Sequence, residues 1–178
     1  MRGVSVTDSA RDSTDRDRDP AESVRNHADS DRNPAASDRN PAASARNHVL
    51  ESNAETVEAV LECADSVAEE WDGEAATGRD AVADSLRAQL EAEEVWSQLP
   101  DVLAGAVRAA GGSLSATPVA APPYVVATSR GPMLRATLDG GRLVVLFHVF
   151  DVADGDEAAI RYTRGATTPA EAVRAKFK

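Results

Sequence analysis

The side chains that could do chemistry are few and lie in the C-terminal half of the chain. His148 is the only histidine after residue 49, and it sits among hydrophobic residues. General-base catalysis by histidine needs an orienting carboxylate and a substrate within hydrogen-bond reach. Asp151 is close in sequence, but a spacing of three along a strand puts its side chain on the opposite face. We therefore predict no catalytic residue and keep His148 only as a candidate contact for a ligand or partner.

Four arginines near His148 are the other candidate contacts. We expect them to share one face or rim of a sheet: Arg130, Arg135, Arg161 and Arg164. A basic sheet face is typical of nucleic-acid binding. Base stacking would need more aromatic residues than Tyr124 and Tyr162, however, so nucleic acid is the weaker hypothesis. The alternative is that these arginines pair with acidic helices, within the fold or across a dimer.

Three further patterns resemble sites but predict none. Gly73 and Gly78 have the glycine spacing of a phosphate-binding loop, yet Arg79 and Asp80 follow where Lys and Ser/Thr are required. Acidic pairs such as Glu93-Glu94 fall on solvated helix faces, without the converging ligands that a metal needs. A single cysteine cannot form an internal disulfide, and its helical position predicts a packing role. We predict no metal and no cofactor.

Hydrophobic periodicity predicts an α+β fold that positions these residues. Apolar residues recur at helical spacing from Glu51, again over about 79–97, and in a short helix beginning at Asp101. Four strands are expected at 124–128, 133–138, 142–152 and 160–163, joined as an antiparallel meander. Thr168-Pro169-Ala170-Glu171 is a helix-start signal, so a C-terminal helix is predicted to bear Val173 and Phe177. The predicted order is three helices, the four-stranded meander and one helix.

The hairpin between the second and third strands is the clearest turn in the sequence. If Gly140-Gly141 is its two-residue loop, Leu138 faces Leu143 and Leu134 faces Phe147. All of these then lie on one apolar face, with Ala136 and Val145 between them. The third strand is apolar on both faces in its middle, which predicts a central strand covered on two sides.

Residues 1–49 are predicted to form a disordered tail, and residues 50–178 a single domain. The tail carries a seven-residue repeat that opens at Ser23, Ser30, Ser37 and Ser44. Pro34 and Pro41 exclude a coiled coil, and the repeat lacks the apolar residues needed to offset ordering entropy. It is either an interaction tail, a duplicated spacer, or the product of a start codon assigned too far upstream.

Composition favours a halophilic cytoplasmic protein over the alternative, an ordinary acidic cytosolic protein. The chain has 30 acidic and 19 basic residues, for a formal net charge of −11, and its only lysines are Lys176 and Lys178. An acidic surface of this kind keeps a protein soluble in concentrated salt. The sequence contains neither a long apolar run nor the apolar core of a secretory signal, so we predict no membrane association.

Three segments resemble an uncharacterised family of small haloarchaeal proteins. They read VEAVLECADSVAEEWDG, LPDVLAGAV and PPYVVATSRGPMLRATLDGGRLVVLFHVFDV, within a similarity over about residues 50–178. The resemblance implies no activity and no functional residue. The remaining hypothesis is a non-enzymatic domain that binds a protein partner, including a second copy of itself. Nucleic-acid binding, or a small ligand held between helices and sheet near 129–132 and His148, are the alternatives.

Overall fold

A computed structural model describes residues 40–153 and 160–178 and confirms an α+β fold. Its helices are α1 (Pro41–Ser52), α2 (Ala54–Glu69), α3 (Arg79–Ala92), α4 (Leu99–Ala109) and the short α5 (Pro169–Ala172), with a 3₁₀ turn at Trp96–Gln98. Its strands are β1 (Ala75–Thr77), β2 (Val125–Thr128), β3 (Gly131–Leu138), β4 (Gly141–Phe147), β5 (Phe150–Ala153), β6 (Arg161–Arg164) and β7 (Val173–Phe177). The strands form two antiparallel sheets, ordered β2-β3-β4-β7 and β1-β6-β5.

The three predicted N-terminal helices are present as α2, α3 and α4, and their apolar stripes form the core. In α4 the inward residues Val102, Leu103, Ala106 and Val107 are all buried, as predicted. The Gly73–Gly78 segment is a connector between α2 and α3, with β1 inside it. None of the described helices has the length and apolarity needed to cross a membrane.

Helix α1 begins inside the segment that the sequence predicts to be tail, so residues 40–49 are corrected from tail to helix. The Asn40 side chain accepts the amide protons of Ala42 and Ala43, and Pro41 opens the first turn. Ala45 and Val49 are fully buried because they stand one helical turn apart on one face. The preceding repeat has Asp38 and Ala42 at these positions and lacks that stripe. The prediction of disorder for residues 1–39 lies outside the described residues.

The four-stranded sheet is a meander only through its first three strands. Strand β4 pairs with β7 rather than with the predicted strand near residue 160. The predicted C-terminal helix is therefore wrong beyond Ala172. Val173, Ala175 and Phe177 alternate with Arg174 and Lys176, and this period of two suits a strand that supplies β4 with a second hydrogen-bonding neighbour.

The β3–β4 register differs from the predicted register by two residues. Leu138 pairs with Gly141, and Ala136 pairs with Leu143, so the loop residues are Asp139 and Gly140. A Cβ on Gly141 would lie 2.4 Å from the Lys178 carbonyl oxygen, because β7 closes against the turn. A shift of two preserves the side-chain faces, so the predicted apolar face is still the buried one.

The long third strand that the sequence predicts is divided between the two sheets. Strand β4 ends at Phe147, and β5 begins at Phe150 in the three-stranded sheet. Between them, the Arg130 carbonyl accepts the amide protons of both Val149 and Phe150 and diverts the chain. Gly131 adjoins this crossing with a φ of 137°, and a Cβ there would lie 1.7 Å from the Phe147 carbonyl oxygen.

Replacing Val49 with Ala should lower the free energy of unfolding by about 2 kcal/mol, because a fully buried side chain loses two carbons and leaves a cavity. The measurement is urea unfolding followed by circular dichroism. Glu51→Gln, on the exposed side of the same helix, is the matched control and should have little effect. Equal stabilities of Val49→Ala and the parent would mean that α1 is not packed on the domain.

Replacing Gly131 with Ala should destabilise the fold by more than about 3 kcal/mol, because the new Cβ meets the Phe147 backbone at a positive φ. Gly140→Ala is the control, since its nearest neighbour would be the Phe177 Cζ at 4.0 Å. Thermal melting of both variants tests the comparison. Similar melting temperatures would contradict the close approach of Gly131 to the Phe147 backbone.

Candidate functional site

The four-stranded sheet has one face in the core and one face, the outer face, that carries the candidate site. Strand pairing fixes which side chains are neighbours there. Arg135 and Lys176 both stand opposite Val144, and Met133 and Arg174 both stand opposite Leu146. These alternate with the buried inner residues of the same strands. The outward side chains therefore form regular rows, with neighbouring residues along each strand about 7 Å apart.

Positive charge is concentrated on this face. A groove of about 400 Å³ runs over it and is lined by six cationic residues, namely Arg130, Arg135, Arg142, Arg174, Lys176 and Lys178. None of the ten described residues that line the groove is acidic. By contrast, residues 51–111, which include α2, α3 and α4, contain 15 acidic and 3 basic residues. The fold therefore separates the two signs of charge onto different surfaces.

The floor of the groove is aliphatic. Met133, Val144 and Leu146 line it and are only partly buried. Their apolar surface lies between the cationic side chains, because they occupy the same outward positions of β3 and β4. A ligand on this face can thus combine apolar packing with ion pairs.

A second compartment of about 260 Å³ adjoins the groove at its β2 end. It is lined by Leu114, Ser115, Pro123, Tyr124, Arg135, Thr137 and Arg142. Arg135 and Arg142 line both spaces, so the two are neighbours. The Arg135 amide donates to the Tyr124 carbonyl at 2.8 Å, which holds these two residues side by side. Among the described residues that line either space, Tyr124 is the only Phe, Tyr or Trp.

One buried donor on this face lacks a partner. The Arg135 Nε is inaccessible to solvent and makes no hydrogen bond within residues 40–153 and 160–178. A buried donor without an acceptor costs about 1–3 kcal/mol, and more when it is charged. An acceptor supplied by a ligand would remove this cost, provided that the guanidinium group shifts to meet it.

His148 lies at the far end of the groove and is 1% exposed. The structure corrects the predicted position of Asp151, whose Oδ1 lies 3.2 Å from His148 Nε2 because the chain leaves β4 after Phe147. The contact lacks hydrogen-bond geometry, and both ring nitrogens are closed to solvent. Burial lowers the pKa of His148, as do the charges of Arg174 and Arg130, while Asp151 opposes the shift. Because its imidazole is buried and neutral, His148 is better suited to a structural role than to exchanging protons with a ligand.

The four predicted arginines do not share one face. Arg130 and Arg135 line the groove, whereas Arg161 and Arg164 belong to β6 of the other sheet. Arg164 is structural, because its guanidinium donates to Asp65 Oδ1 on α2 at 2.5 Å and to the Val149 carbonyl at 2.6 Å. Pairing with an acidic helix, the alternative drawn from the sequence, therefore holds for Arg164.

Sequence reasoning missed four of the six cationic residues. Arg174, Lys176 and Lys178 were overlooked because their segment was predicted to be helical, and a helix would scatter them around its axis. Arg142 follows the hairpin turn directly, and its position in the sequence does not by itself indicate a site. The alternation of residues 173–177 was the available signal.

Other chemical groups stay outside the site. Cys63 is buried in α2, and burial, with help from Glu93 and Glu62, raises its pKa to about 11, so the thiol is protonated near neutral pH. Within the described ranges, no cluster of three or more His, Cys, Asp or Glu side chains is arranged to hold a metal ion.

Comparison with known proteins gives a family but no activity. No curated protein and no solved structure matches the chain. The model of one family, described as a domain of unknown function (DUF7988), matches residues 43–178. This match begins within α1 and spans every later element, so it covers the whole sheet that carries the groove. The chain therefore belongs to the DUF7988 family, whose function is unknown.

Proposed function

We propose that this protein is a non-enzymatic interaction domain that binds an acidic, amphipathic segment of a partner protein on its outer sheet face. The observation that carries the proposal is the groove itself, in which six cationic residues surround an aliphatic floor and none of the lining residues that the structure describes is acidic. Such a surface complements a segment with carboxylates on its flanks and apolar side chains between them. Charge complementarity of this kind steers association and sets register.

The aliphatic floor favours protein over nucleic acid as the partner. Single-stranded nucleic acids bind largely by stacking bases on aromatic rings, and Met133, Val144 and Leu146 offer none. Phosphate contacts also weaken steeply as salt rises. Burial of apolar side chains on the floor is insensitive to this screening, so it would maintain affinity for a protein segment.

A second copy of the chain is the less suitable partner. Eight of its acidic residues lie on the exposed sides of α2 and α3, and the apolar stripes of those helices are buried in the core. These surfaces would match the charge of the groove but not its apolar floor. A flexible segment that exposes both kinds of side chain fits better.

We further propose that the partner meets this domain in a salt-rich cytoplasm. The net charge of −11 and the presence of only two lysines support this setting. At about 1 M salt the Debye length falls to about 3 Å, so repulsion among the helix carboxylates is screened except near contact.

Reversing two charges of the groove should weaken binding. The probe is a fluorescent peptide in which Leu recurs at helical spacing and Glu occupies the flanking positions. Its affinity is measured by fluorescence anisotropy. Arg174→Glu combined with Lys176→Glu should weaken binding at least about tenfold, because two attractive contacts become repulsive. Both side chains are exposed, so folding should be preserved.

The matched control is Arg79→Glu combined with Arg161→Glu, which changes net charge equally at exposed sites outside the groove. An equal loss in the control would show a general charge effect and contradict a site on the outer face. A single-stranded oligonucleotide of matched charge is the second probe. If it bound more tightly than the peptide and lost binding in the groove variant alone, nucleic acid would replace protein as the partner.

The salt-rich setting predicts that stability rises with salt. The melting temperature should increase by several degrees between about 0.1 M and about 3 M KCl, because screening removes repulsion among the acidic helices. Thermal circular dichroism measures the change. A variant with Glu58→Gln, Glu62→Gln and Glu69→Gln, all exposed on α2, should show a smaller increase. A melting temperature that falls across this range would contradict the proposal.

A further inference from the structure

We propose that the compartment beside Tyr124 receives one aromatic side chain of the partner segment, next to an acidic residue of that segment. This inference rests on the proposed function and specifies its ligand. The compartment and the groove meet at Arg135 and Arg142. An aromatic anchor and a carboxylate that bind there must therefore be close neighbours in the partner.

The sheet register places the compartment on the outer face. Val125 pairs with Leu134, and both are fully buried on the inner side. Their neighbours Tyr124 and Arg135 therefore point outward together. Thr137, the next outward residue on β3, pairs with Arg142. Pro123 and Leu114 add apolar walls from the segment that connects α4 to β2.

The volume suits a single side chain. Sites for small molecules and cofactors usually measure about 300–1,000 Å³, and this compartment is smaller, at about 260 Å³. A small pocket beside a larger apolar surface is typical of an anchor that contributes much of the binding energy at a protein interface. Aromatic residues are the most frequent anchors of this kind.

The lining chemistry favours an aromatic ring over an aliphatic group. Guanidinium groups stack on aromatic faces, and two of them, from Arg135 and Arg142, line the compartment. The Tyr124 ring can add edge-to-face packing. An acidic residue beside the anchor would also bring an acceptor close to the Arg135 guanidinium, whose buried Nε has none among the described residues.

The opposite end of the groove is not an equivalent anchor site. His148 closes that end, and its ring is almost completely buried. The inference therefore gives the partner a polarity, with its aromatic anchor at the β2 side and its remaining carboxylates toward Arg174, Lys176 and Lys178 on β7.

Three labelled peptides test the anchor with the full-length protein. The first peptide has Leu at helical spacing with Glu at the flanking positions. The second is the same peptide with one Leu replaced by Trp. The third keeps the Trp but has Gln in place of every Glu. The Trp-containing acidic peptide should bind about tenfold more tightly than the Leu peptide. The Gln peptide should bind more weakly than both, because its carboxylates are missing.

A variant that fills the compartment tests whether the preference for the Trp peptide arises there. Ser115→Trp fills the compartment from an exposed loop position, so it should remove the preference for the Trp peptide. Ser113→Trp makes the same substitution two residues away, outside the compartment lining, and should retain the preference. Tyr124→Leu, which removes the aromatic wall, is the second variant in case Ser115→Trp does not fold. Thermal melting reports folding for each.

The outcomes separate the two proposals. If both acidic peptides bind equally well, or if the preference survives in Ser115→Trp and Tyr124→Leu, the anchor is overturned and the proposed function stands. If neither acidic peptide binds, the proposed function fails. If the Gln peptide binds as tightly as the acidic Trp peptide, carboxylates are not recognised, and both the proposed function and the pairing of anchor with carboxylate are overturned.

Discussion

The alternation of side chains in the four-stranded sheet is the constraint on which the rest of the structure depends. Leu134, Leu143, Val145 and Phe147 are fully buried in the core that they share with the inward residues of the helices. The period of two then sends every intervening residue of β3, β4 and β7 to the opposite side. The cationic groove is therefore a geometric consequence of how the core is packed.

The junction between the two sheets is the second feature that determines the architecture. A long apolar strand would expose its second hydrophobic face, and the chain avoids this by leaving β4 after Phe147. The Arg130 carbonyl holds the next two amides, and Gly131 permits the close crossing. Arg164 ties the second sheet to α2 through Asp65 and caps the Val149 carbonyl. The crossing also carries Arg130 and His148 to the end of the groove.

Acidic and basic residues lie on different surfaces of the fold, and this separation leaves each surface free to bind ions or a partner. Helices α1, α3 and α4 pack against one side of the four-stranded sheet, and the cationic residues of the groove lie on the other. Oppositely charged surfaces that face away from one another cannot neutralise each other across the packed core. Each is left to interact with solvent ions or with a partner. The aliphatic floor adds a component that salt does not screen, which is why the outer face is better suited to a protein segment than to a polyanion alone.

The sequence by itself determined the α+β class, helices α2 to α4, the strands β2 to β4 and the residues of their buried face. These follow from local periodicity and turn chemistry, which act within a few residues. Tertiary structure decided the rest. A register shift of two residues leaves the hydrophobic pattern unchanged, so that pattern cannot select the register; in the fold, β7 closes against the turn with Lys178 beside Gly141. Helix α1 depends on a core that lies far away in sequence. Residues 173–177 follow the helix-start signal at Thr168–Glu171 yet become a strand, because β4 needs a hydrogen-bonding neighbour on its open side. That long-range pairing brings Arg174, Lys176 and Lys178 beside Arg135 and Arg142, and no local pattern in the chain encodes it.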